Sequence, residues 1–447
     1  MSSQPVSIVG AGPTGALLAI LLRRRGMPVT VYDSRPLHQS ADAGRSINLA
    51  LADRGIHALK TAGVYDAIRS AGVPMRGRMI HDRHGGTSLQ PYGQRPQEML
   101  LSISRERLRR ALLEVAAQQG ARVNFEHRLE TADFAAGTAQ LRDLRGDRLL
   151  HVAMRPLLAG DGAGSRMRRC LVEHGLIGAQ EVDLGHGYKE LSIPAGPDGE
   201  YRMAHDALHI WPRGGHMLIA LPNEDGSFTA TLFLPNRGDP SFATLEDPAA
   251  IEGFLRDQFP DACALMPHRV REFQARPIGF LGTVYAASWR HAGMTALIGD
   301  AAHAIVPFHG QGMNCCFEDC VEFDTCVGRH ESWEACFARF EALRKPNTDA
   351  IAAMALENYL EMRERVADPD FRLQQALALE LERRHPQRFI PRYSMVMFHH
   401  EIPYLLALER GAVQARLLAR LTAGRTNLAQ IDFEDAAREI GSLLPPI

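Results

Sequence analysis

The chain opens with an alternation of short apolar runs and amphipathic stretches. Val6–Val9 and Val29–Asp33 are apolar, β-branched runs, and Ala16–Arg25 between them has helical spacing. Short β-branched runs are typical of buried strands, and a 3.6-residue period is typical of a helix packed on them. A third run, Leu157–Asp161, ends in Gly-Asp. This pattern predicts an α/β domain built on a parallel sheet.

The pattern changes at about residue 183. Short alternating segments follow, separated by turn sequences such as Pro-Arg-Gly-Gly at 212–215 and Asn-Glu-Asp-Gly at 223–226. They predict an antiparallel sheet inserted between two halves of the α/β domain. Near residue 281 the chain returns to that domain, and after Pro346 it has helical spacing to its end.

We therefore predict four segments. Residues 1–180 and 281–345 form the two parts of a Rossmann-like nucleotide-binding domain. Residues 181–280 form the inserted β-sheet domain, and residues 346–447 form a helical domain. The sequence contains no internal repeat and no second Rossmann unit.

Four residues of the first crossover carry the chemistry of dinucleotide binding. Gly10, Gly12 and Gly15 join the first apolar run to the helix, and Asp33 ends the second run. In this fingerprint the glycines make the tight turn, let the backbone approach a pyrophosphate and allow close helix–sheet packing. The acid accepts hydrogen bonds from a ribose and disfavours a 2′-phosphate. A chance glycine-rich turn is the alternative, but the whole strand–turn–helix–strand context is present.

A second glycine-rich stretch lies near residue 300. Asp300 follows an apolar run, at the end of a predicted strand where open α/β sheets bind ligands. The turn Gly310–Asn314 would direct backbone N–H groups, at the positive end of a helix, toward electron-rich atoms. A flavin needs both features, whereas the alternative is a buried strand and helix cap without a ligand. We expect His303 to be a packed histidine beside Asp300 rather than a catalytic base.

Composition and charge narrow the class of protein. Of 447 residues, 45% are hydrophobic and 23% charged, which is ordinary for a globular protein of two or three domains. The formal net charge of -2 argues against nucleic-acid binding. Neither a membrane span nor a signal peptide is evident, so we expect a cytoplasmic protein. The cysteines lack metal-ligand spacing, and we expect Cys315, Cys316 and Cys320 to be buried apolar residues.

Arginines near two predicted elements suggest bound anions. Met75–His81 alternates as a strand, with Arg76 and Arg78 on one face. These arginines either bind an anionic substrate or are solvated, and the periodicity leaves both open. Arg105 follows Ser104, a predicted N-cap, although a cation is unfavourable at a helix start. A flavin pyrophosphate would explain Arg105, and a surface position is the alternative.

Together these motifs resemble the single-component flavoprotein aromatic hydroxylases, and longer strings resemble the kynurenine 3-monooxygenase family. The strings are Gly44–Leu51, Met75–His81, Pro91–Gly93, Leu208–Arg213, Gly299–Pro307, Asn358–Arg363 and Arg388–Val396. The resemblance covers nearly the whole chain. Eukaryotic members add a C-terminal membrane anchor that this sequence lacks, and some members have Phe at the position of His309.

The resemblance implies a fold and two sets of ligand-binding residues. The fold is α/β: a Rossmann-like FAD-binding domain with an inserted antiparallel β-sheet substrate domain and a C-terminal helical domain. The implied substrate residues are Arg78 and Tyr92 on the carboxylate, with Asn358, Tyr393, Met362, His309 and Phe308. The implied FAD residues are Gly10, Gly12, Gly15, Asp33, Arg35, Ala50, Arg105, Leu129, Asp300, Gly312, Met313 and Asn314. The alternatives are a loop position for Tyr92, a core position for Met362 and a helix cap for Tyr393.

The implied activity is FAD-dependent hydroxylation. Tightly bound FAD would take electrons from NADPH, a transient co-substrate, and one atom of O2 would enter ring position 3 of L-kynurenine. The products would be 3-hydroxy-L-kynurenine and water, in tryptophan degradation and NAD biosynthesis. One alternative is a related hydroxylase of a substituted kynurenine or another anthranilate-like substrate. Another is a flavin-binding oxidase or binding protein without hydroxylation. We expect a monomer or homodimer, no metal, and no catalytic residue beyond those that position the flavin.

Overall fold

The computed structural model describes residues 4–37, 48–329, 332–362 and 368–447. Its strands are β1 (Val6–Val9), β2 (Val29–Asp33), β3 (Asn48–Leu51), β4 (Val73–Met75), β5 (Gly77–His81), β6 (Thr87–Pro91), β7 (Leu100–Ser104), β8 (Arg122–Phe125), β9 (His127–Asp133), β10 (Thr138–Asp143), β11 (Arg148–Ala153), β12 (Leu157–Ala159), β13 (Ala179–Ile193), β14 (Ala207–Pro212), β15 (Met217–Pro222), β16 (Phe228–Pro235), β17 (Gly279–Ala286), β18 (Arg290–His291) and β19 (Thr295–Leu297). Its α-helices are α1 (Pro13–Arg24), α2 (Asp53–Thr61), α3 (Tyr65–Arg69), α4 (Arg105–Gln118), α5 (Arg166–Glu173), α6 (Pro248–Gln258), α7 (Pro260–Leu265), α8 (Arg269–Ala275), α9 (Asp300–His303), α10 (Gly312–Arg329), α11 (Trp333–Leu360), α12 (Pro369–Arg384), α13 (Arg392–Phe398), α14 (Tyr404–Thr422) and α15 (Phe433–Leu443). Residues 44–47 and Arg363, which belong to two of the family strings, lie outside the described residues.

The first of two compact units comprises Met1–Gly72, Leu101–Gly185 and Gly279–Ala352. Its main sheet has six strands in the order β18-β19-β12-β1-β2-β8. Neighbouring strands are parallel except β18, which runs antiparallel to β19 at the edge. Because β12 lies beside β1, far from it in sequence, the chain must cross over as it does in doubly wound sheets. The predicted parallel α/β domain is confirmed.

Helix α1 packs closely because nearly all of its residues are apolar. Its residues from Gly15 to Leu22 are buried. Pro13 at its start has no N–H to leave unsatisfied, and Arg23 and Arg24 lie in the last turn, where cations suit the helix dipole. No acidic residue lies in its first turn, so no side-chain charge of this helix neutralises its positive end.

The second unit comprises Val73–Leu100, His186–Ile278 and Ala353–Ile447. It contains the second half of β13, and its sheet has the order β13-β16-β15-β14-β5-β6. The pairs are antiparallel except β14 and β5, which are parallel. Buried side chains of this sheet, among them Trp211 and Phe228, form one apolar cluster with residues of α6, α7 and α8. The predicted antiparallel strands between residues 186 and 235 are therefore found.

Arg76 interrupts the strand predicted over residues 75–81. β4 ends before it and β5 begins after it, and Arg76 itself is exposed. Its backbone N–H donates to the carbonyl of Asp206 at 2.7 Å, and its carbonyl accepts from the N–H of Tyr92 at 3.0 Å. The expectation that Arg76 and Arg78 share one strand face is therefore wrong, since only Arg78 belongs to β5.

The helical spacing predicted after Pro346 begins earlier than expected. Helix α11 starts at Trp333 and passes through Pro346. Side chains support the backbone there: Asn347 Nδ2 donates to the carbonyl of Leu343, and Thr348 Oγ1 to the carbonyl of Lys345, each at 3.0 Å. The four segment boundaries given above stay predictions.

Helices α12, α14 and α15 of the second unit share an apolar cluster of their own. Leu381 of α12, Leu417 of α14 and Ile440 of α15 are among its buried members. In the part of the chain that the structure describes, no helix is both long and apolar enough to cross a membrane. All seven cysteines are free and buried, as expected for Cys315, Cys316 and Cys320.

Candidate functional site

The first unit contains a cavity of about 520 Å³ where β1 and β12 end. Cavities of this size are typical of small-molecule and cofactor sites. Six predicted FAD residues line it: Gly10, Gly12, Asp33, Arg35, Arg105 and Leu129. Leu129 is buried on β9, and Arg105 is exposed at the start of α4, where Ser104 caps the helix as predicted. The cavity thus gathers residues from distant parts of the sequence.

The glycines of the first crossover differ in what a side chain would meet. A Cβ on Gly10, which has φ +101°, would lie 2.3 Å from the carbonyl oxygen of Gly160. A Cβ on Gly15 would lie 1.9 Å from the carbonyl oxygen of Gly10. A Cβ on Gly12 meets nothing within 4 Å, and Gly12 lines the cavity. Two glycines therefore permit close packing, and the third exposes backbone to a ligand.

The carboxylate of Asp33 is held by the protein itself. Oδ2 accepts from Ala11 N at 2.6 Å and Arg35 Nη2 at 2.9 Å, and Oδ1 accepts from Arg35 N at 2.8 Å and Nε at 3.0 Å. Burial opposes ionisation, but the bonds from Arg35 and Ala11 lower the pKa of Asp33 overall. Because a carboxylate has about four acceptor positions, the ribose contact predicted for Asp33 requires the Arg35 side chain to move. That side chain is 40% exposed.

Asp161 brings a second carboxylate to the same cavity. It follows β12, and its Oδ2 accepts from the N–H groups of Arg166 and Met167 at the start of α5, at 2.7 and 3.2 Å. Oδ1 is buried and has no hydrogen-bond partner among the described residues. Burial raises the pKa of Asp161. A buried acceptor of this kind calls for a donor from a ligand or from water.

Arginines give the cavity a positive lining. Besides Arg35 and Arg105, its walls include Arg128, Arg166 and Arg169. Arg128 pairs with Glu130 and Arg166 with Glu173, whereas Arg105 and Arg169 have no ion pair within the described ranges. The lining, the open backbone at Gly12 and the positive end of α1 suit the two phosphates of a dinucleotide. The residues present therefore fit FAD.

Asp300 and the turn at 310–314 form a separate group in the first unit. Gly299 has φ +65° and Gly310 has φ +66°, conformations that favour glycine. Asp300 begins α9, and its Oδ1 accepts from the thiol of Cys316 at 3.4 Å. Gly312 and Met313 begin α10, whose first N–H groups form the positive end of an 18-residue helix. This arrangement suits the role predicted for these residues at the flavin ring.

The side chain of Asn314 is used within the protein. Its Nδ2 donates to the carbonyls of Ala50 and Gly310, and its Oδ1 accepts from Ala52 N, each at 2.9 Å. Asn314 is fully buried. Any contact of Asn314 with FAD therefore falls to its backbone, and its side chain ties the start of α10 to the end of β3.

His303 is a packed histidine, but its partner is Asp319. The ring is buried, lies against Trp289 and has Nε2 2.5 Å from Asp319 Oδ2. Arg344 Nε donates to the other oxygen of Asp319 at 2.7 Å. Burial opposes the charge of Asp319, yet His303 and Arg344 lower its pKa. Asp300, named beside His303 in the sequence, does not accept this bond.

Arg78, Tyr92 and Tyr393 meet in the second unit. The guanidinium carbon of Arg78 lies 4.5 Å from the ring centre of Tyr393 and 6.0 Å from that of Tyr92. The two rings stack with centres 6.0 Å apart. Nε of Arg78 and the hydroxyl of Tyr92 are buried and have no hydrogen-bond partner among the described residues. Burial raises the pKa of both tyrosines, and the charge of Arg78 partly opposes this.

The other predicted substrate residues are buried. Asn358 and Met362 belong to the second unit and contact each other, with Asn358 Nδ2 3.3 Å from Met362 Sδ. Asn358 lies near the end of α11 and Met362 just beyond it, and the four-residue spacing brings the two side chains together. Phe308 and His309 belong to the first unit, in a short turn that ends at Gly310.

Several residues that line the cavity are not among the FAD residues that the family resemblance implies. Gly160, Gly162 and Gly164 and the segments 127–130 and 166–169 contribute most of them. The Gly-Asp-Gly sequence at 160–162 signalled the first group. In the segment at 127–130, which has no motif of its own, only Leu129 was named, through the family resemblance; β8, which pairs with β2, leads the chain to the cavity there.

Sequence comparisons identify relatives of the whole chain. A family model described as an FAD binding domain matches residues 3–327. The chain is 49% identical over 446 residues to a kynurenine 3-monooxygenase of Stenotrophomonas maltophilia (strain K279a), covering 99% of this chain and 98% of that protein. It is 48% identical over 450 residues to a kynurenine 3-monooxygenase of Xanthomonas axonopodis pv. citri (strain 306), covering 100% and 98%.

Solved structures share the fold at lower identity. The tetrameric form of 2-methyl-3-hydroxypyridine-5-carboxylic acid oxygenase has a TM-score of 0.66 and 19% identity, covering 85% of this chain and 98% of that chain. PqsL of P. aeruginosa, in complex with 2-aminobenzoylacetate, has a TM-score of 0.65 and 20% identity, covering 81% and 98%. At these identities the likeness concerns the fold alone.

Proposed function

The chain belongs to the kynurenine 3-monooxygenase family, and we propose that it hydroxylates L-kynurenine at ring position 3. It is an FAD-dependent monooxygenase that uses NADPH as co-substrate. The second co-substrate is O2, and the products are 3-hydroxy-L-kynurenine and water. When bound, FAD supplies the redox chemistry, taking electrons from NADPH and activating O2 for insertion. The protein's own residues bind, orient and shield the substrate.

The observation that carries the substrate assignment is the state of Arg78. Its guanidinium lies beside the two stacked tyrosine rings, and no carboxylate within the described ranges forms an ion pair with it, although the negative charge of Glu361 acts on it. A buried donor of a cation is costly unless an acceptor reaches it, and Nε is such a donor. The carboxylate of an amino-acid substrate supplies that acceptor and can take a charge-assisted hydrogen bond from Nε.

Tyr92 and Tyr393 act as neutral donors beside Arg78. Because burial raises the pKa of each phenol, both keep their protons at neutral pH. Each hydroxyl can then donate to a carboxylate oxygen. Two donors and one cation fix the amino-acid end of the substrate, and so orient its ring.

The other proposed substrate residues are buried within the unit to which each belongs. Met362 and Phe308 are buried and apolar, and Asn358 and His309 are buried and polar. Little side-chain chemistry is required, because the substrate's own aniline nitrogen pushes electrons toward the ring carbon ortho to it. We assign the backbone N–H groups of Gly312 and Met313 to stabilising negative charge on the flavin ring.

The test is the mass of the product formed by purified protein, NADPH, air and L-kynurenine. We expect a product one oxygen atom heavier than kynurenine, and NADPH oxidation that kynurenine accelerates. The same assay with ring-substituted kynurenines reports tolerance at the ring. Protein that binds FAD but oxidises NADPH only to peroxide, at a rate unaffected by kynurenine, would contradict the proposal.

A further inference from the structure

The buried carboxylates of Glu98 and Glu382 and the half-buried ring of His399 form a cluster in the second unit, which we call the acid cluster. A carboxylate oxygen of each glutamate and a ring nitrogen of His399 all lie within 4.8 Å of one another. Glu98 is 5% exposed and Glu382 is 3% exposed. The proposed hydroxylation uses none of these residues. They lie close in sequence to both substrate tyrosines, since Glu98 belongs to the loop after Tyr92, and His399 follows the helix α13 that carries Tyr393.

Glu98 closes the loop that follows Tyr92. Its Oε2 accepts from the N–H groups of Gln94 and Arg95 at 2.6 and 2.8 Å, and its Oε1 accepts from Arg95 Nη1 at 3.0 Å. A Cβ on Gly93 would lie 2.1 Å from Oε2. Three donors thus hold this carboxylate, and the loop depends on these bonds.

Glu382 joins helix α12 to the same loop. Gln94 Nε2 donates to the carbonyl of Leu379 at 2.7 Å and to Glu382 Oε2 at 3.4 Å. Oε1 of Glu382 is buried without a hydrogen-bond partner among the described residues, and Arg95 Nη2 lies 3.9 Å from it. Burial and the negative charge of Glu98 raise the pKa of Glu382.

The charges of the acid cluster do not balance if both carboxylates are ionised. The groups that face Glu382 are Glu98 and Arg95 of the loop and His399 after α13. The Arg95 side chain is 41% exposed, and it serves both acids. Nδ1 of His399 is 2.8 Å from Glu401, a third acid. One buried negative charge is left over, and a proton or a metal ion can remove it. The guanidinium of Arg95 would repel a metal ion, so the arrangement favours a proton.

We propose that Glu382 is a positioning residue of the substrate site, which holds the loop after Tyr92 in place while it carries a proton. In this form Oε1 is a donor and can bond to a neighbouring acceptor of the acid cluster. Once ionised, Glu382 repels Glu98 and loosens the loop that Glu98 closes. Since Tyr92 stacks on Tyr393, a shift of this loop changes the aromatic frame around Arg78. The inference rests on the proposed function for the role of Tyr92, but the protonation of Glu382 does not.

The first experiment tests, without any substrate, whether Glu382 carries a proton in the folded protein. The midpoint of thermal unfolding is measured from about pH 5 to about pH 8 for the parent protein and for Glu382→Gln. A group with a raised folded-state pKa contributes stability below its unfolded pKa, and that stability is lost as the pH rises through the folded pKa. The midpoint of the parent protein therefore falls over this range, and that of Glu382→Gln falls less. Glu380→Gln is the matched control, because Glu380 lies on the same helix in ion pairs with Arg383 and Arg384.

The second experiment tests positioning, using KM and kcat for kynurenine across the same pH range. We expect KM of the parent protein to rise roughly threefold to tenfold as Glu382 ionises, the change expected from one lost hydrogen bond. Glu382→Gln keeps a low KM throughout, and kcat at saturation changes little in either protein. Glu380→Gln follows the parent.

Each outcome decides one part of the inference. If the unfolding midpoint depends on pH identically in the parent protein and in Glu382→Gln, the inference that Glu382 carries a proton is wrong. If a chelator lowers the midpoint of thermal unfolding, a bound metal ion rather than a proton neutralises the acid cluster, and the inference is again wrong. If the unfolding midpoints behave as expected but KM of the parent protein does not change with pH, Glu382 carries a proton but does not position the substrate site. If the protein does not hydroxylate kynurenine at all, the proposed function is wrong, and the conclusion about the proton on Glu382 still holds. If Glu382→Gln does not fold, Glu382→Met removes the charge in its place.

Discussion

At the scale of single residues, neighbours decide what a side chain can bind. Arg78 and Asp33 were both assigned to ligands, yet their surroundings differ. Arg78 is a half-buried cation beside two tyrosines, with a buried, unused donor at Nε. Asp33 has its acceptor positions filled by Arg35 and Ala11. Arg78 can therefore bind an anion directly, whereas Asp33 must give up a hydrogen bond from Arg35 before it can bind a ribose.

Replacing Arg78 tests the carboxylate anchor. Arg78→Ala should weaken kynurenine binding by about 1.5–3 kcal/mol, because hydrogen bonds to charged groups have this strength. The measurement is KM and kcat for kynurenine in FAD-loaded protein. Arg76→Ala is the matched control, since Arg76 is a nearby exposed arginine outside β5. Unchanged kinetics in Arg78→Ala would remove Arg78 from the substrate site.

The crossover glycines allow a paired test of packing against cofactor binding. Gly15→Ala forces a methyl group against the carbonyl of Gly10 and should cost about 1–3 kcal/mol of unfolding free energy, as overpacking does. Gly12→Ala meets nothing in the protein and should leave stability of the FAD-free protein unchanged while lowering FAD affinity. Denaturant unfolding and flavin titration separate the two effects. Equal stability losses in both variants would refute this division of roles.

Residue types were predictable where a motif fixes them, and their partners were not. Gly10, Gly12, Gly15 and Asp33 follow from the fingerprint spacing. The bond of His303 to Asp319 does not, because it depends on how α9 packs against α10. The hydrogen bonds of Asn314 likewise reach residues that are distant in sequence.

At the scale of elements, strands bounded by glycine or acid were the easiest to predict. β1 and β2 have the predicted ends, because β-branched runs with sharp boundaries leave little freedom. The break at Arg76 was missed, since alternation continues through it and its bonds to residues 92 and 206 depend on tertiary structure. Helix α11 was placed too late because Pro346 suggested a helix start.

The start of α10 depends on one side chain, which gives a test of this element. Asn314→Ala removes three hydrogen bonds and takes the side-chain acceptor away from the buried N–H of Ala52. We expect a loss of about 2–4 kcal/mol in unfolding free energy, from the usual cost of unsatisfied buried groups. Asn314→Asp keeps the acceptor for Ala52 but places a buried carboxylate oxygen against the carbonyls of Ala50 and Gly310, so it should lose more. Denaturant unfolding measures both, and a smaller loss in Asn314→Asp would show that the two bonds donated by Asn314 contribute little.

At the scale of the whole molecule, the general architecture was predictable and the side-by-side order of strands was not. The parallel sheet and the later antiparallel strands follow from pattern changes along the sequence. The parallel pairing of β5 with β14 does not, because periodicity shows which residues face one way but not which strand lies alongside. That pairing gives Arg78 its place in the second unit.

Acid stability of the protein should depend on the buried ion pairs of Asp319. Its folded-state pKa is lowered, so its contribution is present above the unfolded pKa and is lost as the pH falls through the folded value. Asp319→Asn should cost about 3–5 kcal/mol at neutral pH, because His303 and Arg344 lose a buried partner. Its unfolding free energy should then change less than that of the parent on acidification.

The control for this prediction is Asp324→Asn. Asp324 lies on the same helix but pairs with Arg25 at the surface, where an ion pair contributes little. Urea unfolding across the acid range compares the three proteins. If the unfolding free energy of Asp319→Asn falls as steeply with decreasing pH as that of the parent protein, other carboxylates control stability in acid.

The burial of all seven cysteines determines when such an enzyme can be oxidised at its thiols. A hydroxylase that wastes some turnovers releases hydrogen peroxide beside its own surface, and peroxide attacks thiolates rather than thiols. Burial raises the pKa of every one of these thiols, so each stays protonated in the native protein. Sulfenic acid should then form only in chains that have already begun to unfold, which makes thiol oxidation a record of lost structure rather than a cause of it.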